Sequence, residues 1–173
     1  MYTDILILSS VIERPLHGYE IKRGVGRVLG REFALNNNQL YPALRRLEEM
    51  GAVEKEVVRQ EGRPDRHVYR ATGLGREVLG EMLREFPPEL ARNDAEFMVR
   101  VALFELLEPE ERRSILRARR EFLEEHLERS VEMDPRVGDG RSPYAAKVVS
   151  FHRSTIEHEL AWISELEREV EGA

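Results

Sequence analysis

The chain contains no cysteine, which removes disulfide frameworks, thiolate zinc sites and cysteine nucleophiles together. It also lacks a long apolar run. The longest uninterrupted aliphatic stretch is Ile5 to Leu8, far short of the roughly 18 residues that crossing a bilayer requires. No basic segment precedes that stretch, so no secretory signal is read and a cytoplasmic location without membrane attachment is expected. No Gly-x-Ser-x-Gly elbow is present, and no carboxylate pair stands out from the many acids. Gly24, Gly26 and Gly30 miss the dinucleotide spacing by one residue, with no strand character before them. Asp134 and Asp139-Gly140 lack the alternating ligands and closing glutamate of a calcium loop, and His152 and His158 are not spaced to share a metal. These absences leave no catalytic residue, metal site or cofactor to assign, and an enzyme is not expected.

What remains is a chain of 173 residues, 41% hydrophobic and 35% charged. That balance suits a helix-rich protein with a heavily charged surface rather than a disordered one. The net charge of -6 speaks against a nucleic-acid partner only until its distribution is examined, because DNA affinity depends on local Lys and Arg. Residues 1–85 carry 14 basic and 13 acidic side chains, whereas residues 86–173 carry 13 and 20. The two halves therefore have different surfaces, and the change falls near Pro87-Pro88, a helix-breaking pair.

In the first half, Thr3 is placed to cap a helix through Ile12, and Pro15-Leu16-His17-Gly18 reads as the turn after it. A second helix is expected from Gly18 to Leu29. A third, from Asn37 to Met50, has Leu40, Ala43, Leu44 and Leu47 at spacings of three and four, and Gly51 ends it. Val53 to Arg59 and Arg66 to Ala71 have strand character around the turn-forming residues 60–65, and Thr72 is a candidate cap for the helix that follows. Three helices, two strands and a helix outline a winged helix-turn-helix. The second half reads as three helices opened by Asn93 (with Glu96 completing a capping box), Pro109 and Pro143. In the last of these, Val149, Ile156, Ile163 and Val170 recur every seven residues with Leu166 on the neighbouring seam, a pattern suited to a partner helix. The partner is either a second copy of the chain or the preceding helix. The expected fold is mainly α: a winged helix-turn-helix with a two-stranded wing over residues 1–88, then an all-helical dimerisation domain over residues 89–173.

The stretches from His17 to Ile21, Leu40 to Gly51 and Gly62 to Thr72 resemble the PadR family of winged-helix transcriptional regulators. The resemblance spans residues 5–84, and the second half is similar in length and helix pattern to the dimerisation domain of the family's larger branch. It implies a homodimer that binds double-stranded operator DNA, commonly as a repressor. It also implies that a small phenolic or planar aromatic effector releases the DNA in some members. Where relatives usually begin the recognition helix with small, Pro or Gly residues, this chain has Asn36-Asn37-Asn38-Gln39.

Those amides lie where a major-groove helix reads base edges, and Asn or Gln pairs bidentately with adenine. A cap for the same helix would use Asn36 or Asn37 equally well. Tyr41 is placed to reach a phosphate or to pack in the core. Arg45 and Arg46 are candidates for phosphate contact, or for ion pairs with Glu48 and Glu49. Arg59, Arg63, Arg66 and His67, with Arg70, concentrate positive charge about the wing. Phe97, Phe104, Phe151 and Trp162 read first as core and second as an effector pocket. The competing functional reading is a winged-helix module that binds a protein through its acidic helices.

Overall fold

The computed structural model of the protein describes residues 1–28, 30, 33–58, 66–132 and 143–172. It begins with α1 (Tyr2–Ile12), whose Ile5, Leu6, Ile7, Leu8 and Val11 are all buried. A helix apolar on nearly every side has to be enclosed, and α1 is, packed against the next helices of the chain. After β1 (Leu16–His17) come α2 (Gly18–Val28), α3 (Asn37–Glu49), β2 (Val53–Val58), β3 (Arg66–Ala71) and α4 (Gly73–Arg84). The strands form one antiparallel sheet in the order β1-β3-β2, with Leu16 opposite Tyr69 and Val53 opposite Ala71. The expected turn at residues 15–18 is therefore a third strand, tying the start of α2 to the base of the wing. Two residues are too few to show a period.

Local chemistry sets the joints between these elements. Gly51, with φ of +72°, turns the chain out of α3, and the Ala52 N–H bonds back to the Leu47 carbonyl at 2.9 Å. Thr72 accepts from the Gly75 N–H at 3.0 Å and donates to the Gly51 carbonyl at 2.7 Å, capping α4 and holding it to the α3 exit. Gly75 lies so close to the Ala52 carbonyl that a Cβ has no room there. Thr3 does not cap α1. The cap position is Met1, without a side-chain bond, and the Tyr2 N–H donates to Glu96 Oε1 at 2.7 Å.

Glu96 belongs to a later helix. Beyond α4 the chain forms α5 (Pro88–Ala91), α6 (Asp94–Val101), a 3-10 turn (Phe104–Leu106), α7 (Pro109–Glu132) and α8 (Pro143–Gly172). It divides into two compact units, Met1–Glu85 with Asp94–Leu107, and Phe86–Asn93 with Glu108–Ala173. Residues 94–107 thus pack with the first unit although they lie past the Pro87-Pro88 boundary. The reason is Arg100, which is wholly buried. Its guanidinium donates to the carbonyls of Met82, Leu83 and Glu85 at 2.8, 3.2 and 2.9 Å, and to Glu96 Oε2 at 2.7 Å. Phe97 fills the core beside it, fully buried.

In the second unit α7 and α8 pack together. Ile115, Leu116 and Leu123 of α7 and Ile156, Ile163 and Val170 of α8 are buried, while Val149 and Leu166 are half-buried. Buried Arg119 forms a two-bond fork with Glu159, at 2.7 and 3.0 Å, and donates to the Ala91 carbonyl of α5 at 2.6 Å. Two arginines counted with the charged surface on sequence grounds are therefore interior. Among the described residues no helix is long and apolar enough to cross a membrane.

Two outcomes are expected for stability. Burial by itself would raise the Glu96 pKa, but hydrogen bonds from Arg100 and the Tyr2 N–H, with the Met1 amine at 3.2 Å, outweigh it and leave the carboxyl below its ordinary 4.5. A depressed carboxyl favours the folded state above its unfolded value, and that contribution is lost as pH falls through the folded one. Glu96→Gln should cost about 2 kcal/mol at neutral pH and flatten the loss of stability in acid, as read by urea unfolding across a pH series. Gly75→Ala should cost about 2 kcal/mol or more through overpacking, read as a lower urea midpoint.

Candidate nucleic-acid interface

The face that α3 presents follows from its buried one. Leu40, Ala43, Leu44 and Leu47 turn inward, so Asn37, Asn38, Tyr41, Pro42 and Arg45 are exposed. Asn38, Tyr41 and Arg45 stand at i, i+3 and i+7, on one stripe of the helix. The α3 start is fixed by a reciprocal capping box: Asn36 Oδ1 accepts from the Gln39 N–H at 3.0 Å, and Gln39 Oε1 accepts from the Asn36 N–H at 3.1 Å. Asn36 and Gln39 thus already hold backbone groups, and the N-x-x-Q spacing was the signal for it. Asn37 Oδ1 accepts from Lys22 Nζ at 3.3 Å, linking the two helices of the motif. Asn38 has no side-chain hydrogen bond among the described residues.

The two arginines of α3 differ. Arg45 is exposed, with no ion pair among the described residues. Arg46 donates to Asp4 of α1 at 2.6 Å, and Asp4 is buried. The pair fastens α3 to the central helix while leaving the Arg46 side chain 55% exposed. No sequence signal links residues 42 positions apart.

At the wing base Arg66 and His67 are exposed, and among the described residues the Arg66 guanidinium has no carboxylate partner. The His67 carbonyl and His17 Nδ1 lie 3.1 Å apart, which adds a side-chain tie to the β1–β3 pairing. Arg70 is neutralised by Glu54 at 2.9 Å, and Lys55 pairs with Glu48 at 3.2 Å, so β2 offers no net positive surface. Arg59 and Arg63 lie outside the described residues.

Between the start of α2, the first turns of α3 and the wing base lies a cleft of about 490 Å³ whose lining includes Gly18, Tyr19, Tyr41, Arg66, His67 and Tyr69. Tyr41 covers the α2 start, its hydroxyl 3.5 Å from where a Gly18 Cβ would stand. The Tyr69 pKa is raised by burial first, and then by the neighbouring Tyr41 and Glu48. This three-tyrosine arrangement was not read from the sequence, because Tyr69 reached the cleft only once β1 joined the sheet. The arrangement offers amide and guanidinium donors on a helix face, hydroxyls and a helix N-terminus beside it. Such a surface suits phosphates and base edges. Among the described residues no group of His, Asp and Glu could hold a metal ion.

Residues 7–81 match the family described as "Transcriptional regulator PadR-like family". Over 79 residues the chain is 35% identical to the probable transcriptional regulator Rv1176c of Mycobacterium tuberculosis, covering 46% of this chain and 42% of that protein. A transcriptional regulator from Clostridium thermocellum is similar at 29% identity over 46% of this chain and 77% of its own, with a TM-score of 0.43. Bacillus subtilis PadR in complex with operator DNA is 18% identical, with coverage of 96% and 98% and a TM-score of 0.46.

The Asp4–Arg46 pair should behave as one unit. Asp4→Ala and Arg46→Ala are each expected to lower stability, and the double variant should lose about 1 kcal/mol less than their sum, as measured by a urea double-mutant cycle.

Proposed function

We propose that this chain, whose residues 7–81 are a PadR-like transcriptional-regulator domain, is a dimeric DNA-binding regulator that reads operator DNA with α3 and grips the backbone with its wing. The observation that carries this reading is the exposed stripe of Asn38, Tyr41 and Arg45 beside Arg66 and His67, none of which has a side-chain partner among the described residues. Asn37 and Asn38 stand at the helix end that enters the major groove and serve as the base readers. Arg45, Arg66 and His67 serve as backbone contacts, and Arg59 and Arg63, outside the described residues, are assigned the same role. Asn36, Gln39 and Arg46 act by holding α3 in place. Repression needs nothing further, since a dimer seated on promoter DNA excludes other proteins from it.

The dimer rests on α8. Ile156, Ile163 and Val170 are already covered within the chain, so they serve by fixing α8 on α7. The face left for a second copy is its first half, where Tyr144, Val148 and Phe151 are 75%, 55% and 67% exposed at i, i+4 and i+7. Val149 flanks that face.

Fluorescence anisotropy against the DNA upstream of the chain's own coding region, over a salt series, tests the DNA reading. Arg66→Ala should weaken all sequences alike and reduce the salt slope by about one. Asn38→Ala should change the ranking among operator variants, since one base contact is worth about 1–3 kcal/mol. No affinity above that for random DNA would leave the protein-binding module as the reading. Light scattering tests the dimer: Val148→Glu with Phe151→Glu should give a monomer, and a wild-type monomer at micromolar concentration would refute it.

A further inference from the structure

The contact between Lys22 and Asn37 fixes what each of them can offer a ligand. Lys22 Nζ donates to Asn37 Oδ1 at 3.3 Å. An ammonium has three N–H donors and no lone pair, so the amide has to present its oxygen to it, and Asn37 Nδ2 is turned the other way. Asn37 is exposed and is the first residue of α3. The part of its amide left for a ligand is therefore the donor end. Lys22 keeps two further N–H donors and has no carboxylate partner among the described residues. The position is electrostatically unfavourable for a cation, because a helix N-terminus is the positive end of the helix dipole and the first turn of α3 holds no acid. Glu20, the acid of α2, accepts the His17 N–H at 2.9 Å instead. Stability of the fold gives no reason for an ammonium here, whereas a ligand rich in acceptors does.

Two side chains that offer only donors have one good complement among base edges. In the major groove guanine alone shows two acceptors, N7 and O6, and no donor. Adenine sets its N6 amino group beside N7, cytosine shows the N4 amino group, and thymine has one acceptor next to a methyl. We propose that Lys22 and Asn37 read a guanine together, with Lys22 as the residue that sets the base preference of Asn37. The proposal rests on the DNA reading above. An asparagine free at both ends of its amide pairs with adenine. At Asn37 the adenine N6 group, itself a partial positive charge, would have to share Oδ1 with an ammonium. Asn38 has no side-chain hydrogen bond among the described residues and keeps the adenine pattern. The four consecutive amides thus divide three ways: Asn36 and Gln39 close the capping box, Asn37 is set for guanine, and Asn38 is set for adenine.

The test selects a site for the wild-type chain from a pool of randomised duplexes, then changes each base pair of that site in turn and reads affinity by anisotropy. One guanine should cost about tenfold when replaced by adenine. Lys22→Met keeps the aliphatic stem and removes the charge, and its circular dichroism and melting temperature establish that it folds. In this variant the preference for guanine over adenine at that position should fall to about one or invert, because Asn37 regains its acceptor, while the ranking at the other positions holds. Asn37→Ala should lose the preference at the same position. A 7-deazaguanine there, which lacks the N7 acceptor, should weaken the wild type and weaken Lys22→Met no further. Uniform weakening by Lys22→Met with an unchanged ranking would make Lys22 a phosphate contact and overturn the proposal. A change of preference at a position that Asn37→Ala leaves alone would overturn it too. A wild-type chain that selects no sequence defeats the DNA reading and this proposal with it, whereas a selected site whose ranking is indifferent to Lys22→Met defeats this proposal alone.

Discussion

A guanidinium cannot shed its charge inside a protein and carries five N–H donors, so Arg100, wholly buried, constrains everything around it. Its acceptors have to come from groups that are otherwise short of donors. The carbonyls of Met82, Leu83 and Glu85 are such groups, lying at the C-terminus of α4 where no further helical N–H exists and the helix dipole is negative. Glu96 supplies the countercharge, and its other oxygen takes the Tyr2 N–H. The Arg100–Glu96 pair therefore ties the end of α4, α6 and the start of α1. Two residues further along α1, Asp4 anchors Arg46 of α3. The exposed stripe of α3 is positioned through this succession of charged and polar bonds as much as by the apolar core beneath it.

The second unit uses the same device for another purpose. Arg119 collects Glu159 of α8 and a carbonyl of α5, while Arg120 reaches Glu167 at 2.6 Å and Ser164 at 2.9 Å. These bonds lie between helices, unlike the exposed i to i+4 pair of Arg153 with Glu157, which contributes tenths of a kcal/mol. Two of the acids of residues 86–173, Glu159 and Glu167, are thereby engaged in holding α7 to α8.

What could be read beforehand depended on periodicity and punctuation. The inward face of α3, the Thr72 cap, and the helix starts at Pro109 and Pro143 follow from spacing and from residues whose backbone chemistry permits little else. The Arg100 cluster was hidden because charge reads as solvent exposure, and its acceptors are backbone carbonyls that any sequence possesses. β1 was hidden by its length. Asp4–Arg46 was hidden by separation along the chain, so the nearer Glu48 and Glu49 looked like the natural partners. At the site, the residue types on α3 were legible, but their division between side chains tied to the backbone and side chains left exposed was not. That division depends on whether Asn36 and Gln39 close on each other, which only the backbone geometry decides.

The interleaving of the two units has a temporal side. During synthesis at about 5–20 residues per second, the first unit has all of α1 to α4 once residue 85 has been made, but it lacks Glu96 and Arg100. The chain must run on through a segment of the second unit before α6 arrives, and the unit is completed only at Leu107. For about 0.5–3 s at those rates, until Glu96 and Arg100 have been made, the α4 carbonyls and the Tyr2 N–H lack these intramolecular partners. The nascent domain is then most open to capture by a chaperone or to attack by a protease, and its maturation is timed by the ribosome's passage across a stretch belonging to its neighbour.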